Sequence, residues 1–344
     1  MYSLEQIGKG LRRPAMAKRE IRQQYQQMQT VLPHDVGIQG SYRTGNIGDR
    51  ALGRTFSGQL TAMGYRPRTF GKNIEYSRAP VHVLGGGGVL HDWYGTDHLR
   101  RRLNFVSEGD AVIGVGVPGF KTDEGRELIR SGLANVELVT VRDEWSRDRL
   151  APHYDGDIHV TACPTLIRHD PDVPSTGRTG VNFRRWFHLD PDVMSYYFDY
   201  DDVTDFDNAR ERYLETITRL CEELDDPVFI PFHEKDETFA HEHLDIEVLP
   251  YEFSVKKTLE RVSAVDRMVA TRYHSLVFAV ICETPALAIA YEPKVSSLAD
   301  RVGVPSYRPH TSIPVEFGSI ANRDELRRTA ERNFRLLDDA CLSD

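Results

Sequence analysis

The stretch Asp35-Val36-Gly37-Ile38-Gln39 runs directly into Gly40-Ser41-Tyr42-Arg43-Thr44-Gly45-Asn46-Ile47-Gly48, and Arg50–Met63 follows with helical character. A short apolar strand, a glycine-rich turn and a helix make the opening unit of a parallel α/β sheet. Tyr65–Phe70, Val81–Leu84, Ala111–Val117, Leu138–Val141 and Ile158–Ala162 read as further strands. Short apolar strands separated by helical segments predict a sheet with helices on both faces. Asp170–Gly177 is rich in Pro, Gly and Asp and reads as a linker. Beyond it the alternation resumes. Gly180–Phe183, Val228–Phe232, Arg267–Ala270 and Ala286–Ala290 read as strands, and Phe206–Leu224, Ser254–Val262, Tyr273–Cys282 and residues 323–341 as helices. The expected fold is α/β, with two Rossmann-like domains facing across a cleft. They occupy residues 33–172 and 178–344, after an N-terminal helical extension over 1–32. Ligands of such domains bind where strand C-termini meet the cleft.

The 344 residues are long enough for two domains, and 40% apolar with 28% charged residues is an ordinary globular composition. The formal charge of −9 argues against general nucleic-acid binding, which needs a basic face. Of the 43 cations only 8 are Lys, so each lysine attracts notice. Residues 1–30 carry +4 through Lys9, Arg12, Arg13, Lys18, Arg19 and Arg22 against Glu5 and Glu20, so the remainder carries −13. That segment reads as an amphipathic helix packing on the body, on a second subunit of a homo-oligomer, or against an anionic membrane surface. Cys163, Cys221, Cys282 and Cys341 form no CxxC pair and are expected to be reduced, in a cytoplasmic protein. There is no signal-peptide pattern, and the longest apolar run, Leu276 to Cys282, is far short of a membrane span.

Five constellations carry chemistry. Gly45-Asn46-Ile47-Gly48-Asp49 lies at a strand-to-helix turn, where helix N–H groups suit an anion, or where Asp49 is simply the cap. Gly85-Gly86-Gly87-Gly88 admits either a ligand or a closely packed helix. Gly114, Gly116 and Gly119 match G-x-G-x-x-G formally, but within a strand and beside Pro118, which is the wrong context for a dinucleotide site. Arg142 ends an apolar strand and is suited either to a carboxylate or phosphate, or to its neighbours Asp143 and Glu144. Arg272-Tyr273-His274-Ser275 opens an apolar helix, and Lys294 follows the next strand, so a histidine, an arginine and a lysine collect at expected cleft edges. His233, His241 and His243 match no compact metal site, and no metal is expected.

In their order and spacing, Gly45–Asp49, Gly85–Gly88, Val141-Arg142-Asp143-Glu144-Trp145-Ser146, Arg272–Ser275 and Glu292-Pro293-Lys294 resemble the polysaccharide pyruvyl transferase family over about residues 36–300. The resemblance implies a fold like the GT-B glycosyltransferases. It also implies transfer of the enolpyruvyl carbons of phosphoenolpyruvate onto two sugar hydroxyls, with no cofactor beyond that donor. By the same resemblance, Arg142 and Lys294 clamp the donor and His274 is the general acid/base. Asn46, Gly48, Asp49, Gly86, Gly87 and Arg272 line the substrate site. The acceptor is a sugar or lipid-linked glycan; in the latter case residues 1–30 would hold the protein at the inner face of the membrane. Aromatic residues in His91-Asp92-Trp93-Tyr94 and Arg184-Arg185-Trp186-Phe187 are candidates to stack on the acceptor, or are packed core. The competing readings are a GT-B-type glycosyltransferase using a nucleotide sugar, and a non-catalytic glycan-binding protein of the same fold.

Overall fold

Strands with no polar face must be covered on both sides, and the chain supplies helices between nearly all of them. The computed structural model describes residues 27–186 and 190–343. The first unit runs β1 (Val36–Gly40), α1 (Ile47–Ala62), β2 (Pro67–Gly71), β3 (Val81–Gly88), α2 (Thr96–Leu103), β4 (Ala111–Gly116), α3 (Asp123–Leu133), β5 (Leu138–Val141), α4 (Glu144–Leu150) and β6 (Ile158–Val160). The second runs β7 (Thr179–Asn182), α5 (Pro191–Phe198), α6 (Phe206–Glu223), β8 (Pro227–Phe229), α7 (Glu234–His243), β9 (Glu247–Val248), α8 (Val255–Ser263), β10 (Arg267–Ala270), α9 (Tyr273–Ile281), β11 (Ala286–Ile289), α10 (Pro293–Val302), β12 (Ser306–Tyr307) and α11 (Arg323–Leu337). Every residue of β1, β4, β5, β7 and β11 is buried, which fits strands covered on both faces.

Both sheets are parallel and six-stranded, in the orders β2-β1-β3-β4-β5-β6 and β12-β11-β10-β7-β8-β9. The protein is thus a pair of Rossmann-like α/β units, the GT-B-like arrangement expected. Strand order reverses between β1 and β3 in the first sheet and between β7 and β10 in the second. Loops leaving such a pair diverge and open a crevice at the strand C-termini. One apolar cluster runs from α1 and one face of the first sheet into the second unit, while a separate cluster fills the first sheet's other face.

Several connections tie the units, among them the following. The backbone N–H of Ile47 donates to the Phe232 carbonyl at 2.9 Å. The α5 segment straps onto the first unit: Tyr197 donates to Asp92, and Tyr196 to the Phe120 carbonyl at 2.6 Å. Helix α11, the last α-helix in sequence, returns to the first unit. There Asn333 Oδ1 accepts from Thr140 at 2.6 Å and Thr161 at 2.8 Å, and Phe334 packs edge-on against Phe56.

The sequence reading ends a strand at Leu84, but β3 continues through the glycine run, with Gly85, Gly87 and Gly88 paired to Ile113, Val115 and Gly116. The two-residue edge strands β9 and β12 are too short to leave a periodic signal. Most of the helical extension expected over 1–32, with its basic face, lies outside the described residues; residues 27–30 are helical. Among the described residues no helix is long and apolar enough to cross a membrane.

Candidate active site

A cavity of about 700 Å³ opens between the units, at the C-terminal ends of β1, β3, β5, β7, β10 and β11. Eight Lys or Arg side chains line it against four Asp or Glu. A protein of formal charge −9 thus gathers cations in this one crevice.

His274 stands in the first turn of α9, all nine of whose residues are buried. That apolar helix anchors the imidazole, which is 7% exposed, with Nε2 3.7 Å from the buried Cys163 Sγ. Burial, then the charges of Arg142, Lys294 and Arg272, lower its pKa to about 3. The positive end of α9 acts in the same direction. His274 is therefore neutral at pH 7, encircled by three cations. It reaches the cleft only because Gly48, on α1 of the other unit, has no side chain. A Cβ there would lie 2.1 Å from both Cγ and Nδ1 of His274.

Arg142 follows β5 and is 3% exposed. Its Nε donates to Asp143 at 3.2 Å, its guanidinium lies 4.4 Å from the Tyr273 ring centroid, and its Nη2 is buried without a partner. The pairing with a neighbouring carboxylate, one of the two sequence readings of Arg142, is the one present, and Nη2 is left over as an unpartnered donor. Gly116, the middle glycine of the formal G-x-G-x-x-G, exists for this packing, since a Cβ there would meet the Arg142 guanidinium at 2.4 Å. Lys294, on the first turn of α10, pairs with Glu292, which also faces Arg184 at 3.6 Å. Burial opposes ionisation of Glu292, but Lys294 and Arg184 outweigh it and hold the carboxyl below the usual range. Arg272 is gripped by Asp236, with Nε to Oδ2 at 2.6 Å and a second bond from Nη2. Asp236, on α7, is 1% exposed, and sequence reasoning passed over it because its pairing spans 36 residues.

The glycine-rich turn corrects one expectation. Asn46, not Asp49, caps α1, its Oδ1 accepting from Gly48 N at 2.9 Å. With Ile47 N–H bonded to Phe232, the leading donors of α1 are spent within the protein. Asp49 accepts from Thr44 at 2.9 Å and lines the cavity, where burial pushes its carboxyl up against that bond and the charges of Lys294, Arg272 and Arg102. Gly86 serves packing, because a Cβ there would strike Leu52 of α1 at 2.6 Å, whereas Gly87 and Gly88 form cavity wall.

The two aromatic candidates part company. Trp93 and Tyr94 stack with centroids 4.9 Å apart on the cavity wall. Trp186 is 4% exposed among Tyr200, Tyr213 and His310 and belongs to the core; Phe187 lies outside the described residues. His233 caps α7 through Nδ1, which accepts from Lys235 N at 3.0 Å. No group of three or more His, Cys, Asp or Glu among the described residues is placed to hold a metal. Arg102 and Asp92 are further buried charged residues at or beside the cavity that sequence reading did not single out for charge.

The paired Rossmann-like units place a crevice lined mostly by cations at the C-terminal ends of their strands, where ligands of such α/β proteins bind. A profile of the polysaccharide pyruvyl transferase family matches residues 46–293, and the chain belongs to that family of glycan-modifying transferases. No curated protein matches the sequence. Among solved structures, the UDP-GlcNAc 2-epimerase of Methanocaldococcus jannaschii aligns with TM-score 0.47 at 10% identity, over 89% of this chain and 99% of that one. The wall teichoic acid polymerase TagF aligns with TM-score 0.40 at 11% identity, over 100% and 95%. The lipopolysaccharide-biosynthesis glycosyltransferase WaaG aligns with TM-score 0.40 at 9% identity, over 87% and 90%.

Proposed function

We propose that this protein transfers the enolpyruvyl carbons of phosphoenolpyruvate onto two hydroxyls of a sugar in a glycan, giving a cyclic pyruvate ketal and phosphate. The observation that carries the reading is a neutral, buried histidine held among three cations drawn from both units: Arg142 from the first, Arg272 and Lys294 from the second. Phosphoenolpyruvate is a compact anion with a carboxylate and a phosphate, matched by Arg142 Nη2 and the Lys294 ammonium. Its charge offsets the cations that depress His274, so the imidazole gains basicity when the donor is in place.

His274 then takes the proton of an attacking hydroxyl and delivers it to the methylene carbon, as C2 accepts the sugar oxygen. Arg142 and Lys294 stabilise the departing phosphate. The second hydroxyl closes the ketal, and its proton leaves with the phosphate. The atoms balance without an oxidant or a metal.

A nucleotide-sugar donor would call for an acidic residue free to hold ribose. Of the second unit's carboxylates on the cavity, Asp236 and Glu292 are buried and committed to cations, and Glu242 is exposed, with His243 4.0 Å away. The test is incubation with phosphoenolpyruvate and a panel of sugars, reading phosphate release and product mass. Absence of both phosphoenolpyruvate binding and any pyruvylated product would overturn the reading.

A further inference from the structure

Three cations of the cavity surround His274, and each already has a carboxylate: Arg142 has Asp143, Arg272 has Asp236, and Lys294 has Glu292. Arg102, on α2, differs. It is 6% exposed, its Nη1 is buried without a hydrogen-bond partner, and no carboxylate among the described residues lies within ion-pair distance. Burial draws its pKa down to about 10, against the pull of Asp49, Tyr42 and Tyr94. An unpaired buried guanidinium is costly and calls for a reason.

Its position supplies one. Arg102 lines the same cavity from the first unit, the unit that also carries the stacked Trp93 and Tyr94. Of the charges acting on His91 it is the leading one, and it acts on Tyr94 too. Lys72 lines the cavity as well. An aromatic face suits the apolar face of a sugar ring, and a guanidinium beside it suits an anionic substituent on that ring.

We propose that Arg102 receives a carboxylate or phosphate on the acceptor, so that the protein selects an acidic glycan. The proposal rests on reading the cavity as a pyruvyl-transfer site, with the donor beside His274.

The test is calorimetric titration of the full chain, first without phosphoenolpyruvate, using methyl β-glucuronide, glucose 1-phosphate and methyl β-glucoside. Phosphoenolpyruvate is titrated separately. The wild type should bind one anionic sugar at least tenfold tighter than the neutral glycoside, and which of the two it prefers separates carboxylate from phosphate. Arg102→Gln should erase the preference and Arg102→Lys should keep part of it. Both should bind phosphoenolpyruvate within threefold of wild type. Equal binding of all three sugars by the wild type overturns the proposal. So does a preference that survives in Arg102→Gln, or a larger loss of phosphoenolpyruvate affinity, which would move Arg102 to the donor. Should Arg102→Gln fail to fold, the wild-type preference and Arg102→Lys still decide. Failure of the wild type to bind phosphoenolpyruvate counts against the pyruvyl-transfer reading alone, because the sugar preference is measured without it.

Discussion

Substituting Gly48 by alanine places one methyl group where the structure leaves no room. The new Cβ would lie 2.1 Å from Cγ and Nδ1 of His274 and 2.5 Å from its Cβ. To regain ordinary contact the imidazole must retreat by about 1.3 Å. Its Cβ is pressed too, so a flip of the ring alone gives no relief. A displacement of that size costs about 10²-fold in rate when the displaced group must meet a reacting atom.

Stability should change far less. Overpacking costs about 1–3 kcal/mol, partly offset by the roughly 0.5–1 kcal/mol that alanine gains over glycine within a helix. Gly58 on the same helix has nothing within 4 Å of its added Cβ and is the internal control. The assay is phosphate release from phosphoenolpyruvate with a competent acceptor, alongside donor titration and thermal melts. Gly48→Ala should lose about 10²-fold in kcat while holding phosphoenolpyruvate within a few fold, because Arg142 and Lys294 are untouched. Gly58→Ala should keep full activity and gain slightly in stability. A Gly48→Ala protein of wild-type rate would refute the placement of His274 at the reacting atoms.

Three further outcomes are expected. His274 and His91 are both held at about 3, chiefly by burial, so the unfolded chain takes up protons near pH 6.5 that the folded chain refuses. Stability should therefore fall as pH drops below that value, by about 2 kcal/mol per histidine at pH 5, and denaturant titrations of His274→Gln should show a correspondingly shallower loss. If the variant's pH profile matches wild type, His274 is not buried neutral. Asp236→Ala leaves Arg272 charged and buried, and should cost about 3–5 kcal/mol in unfolding experiments; a loss under about 1 kcal/mol would mean the pair is not formed in solution. Trp186→Ala should cost about 3–5 kcal/mol as a core cavity, whereas Trp93→Ala should weaken sugar binding at a smaller cost in stability. The reverse pattern would exchange their roles.

The alternation of apolar strands and helices was legible because buried parallel strands leave continuous apolar runs, as at Ala111–Gly116 and Leu138–Val141. The placement of Arg142, His274 and Lys294 on the cavity was legible for a related reason. Arg142 directly follows such a run, His274 and Lys294 open the helices that follow two others, and the ends of parallel strands face the crevice. Glycine identities were visible, but their tasks were not. Gly48 yields space to a histidine 226 positions away, Gly116 to Arg142 and Gly86 to Leu52, and only the folded chain brings those partners together.

The sequence by itself determined the two α/β units, the linker between them and the residue types at the strand ends, because periodicity and turn chemistry act over a few residues. Tertiary structure alone decided that Asp236 holds Arg272, that α11 returns to the first unit through Asn333, that Trp186 is core while Trp93 faces the cavity, and that Arg102 stands unpaired. Each of these depends on contacts between distant segments, whose geometry follows from how the sheets pack and not from any local pattern.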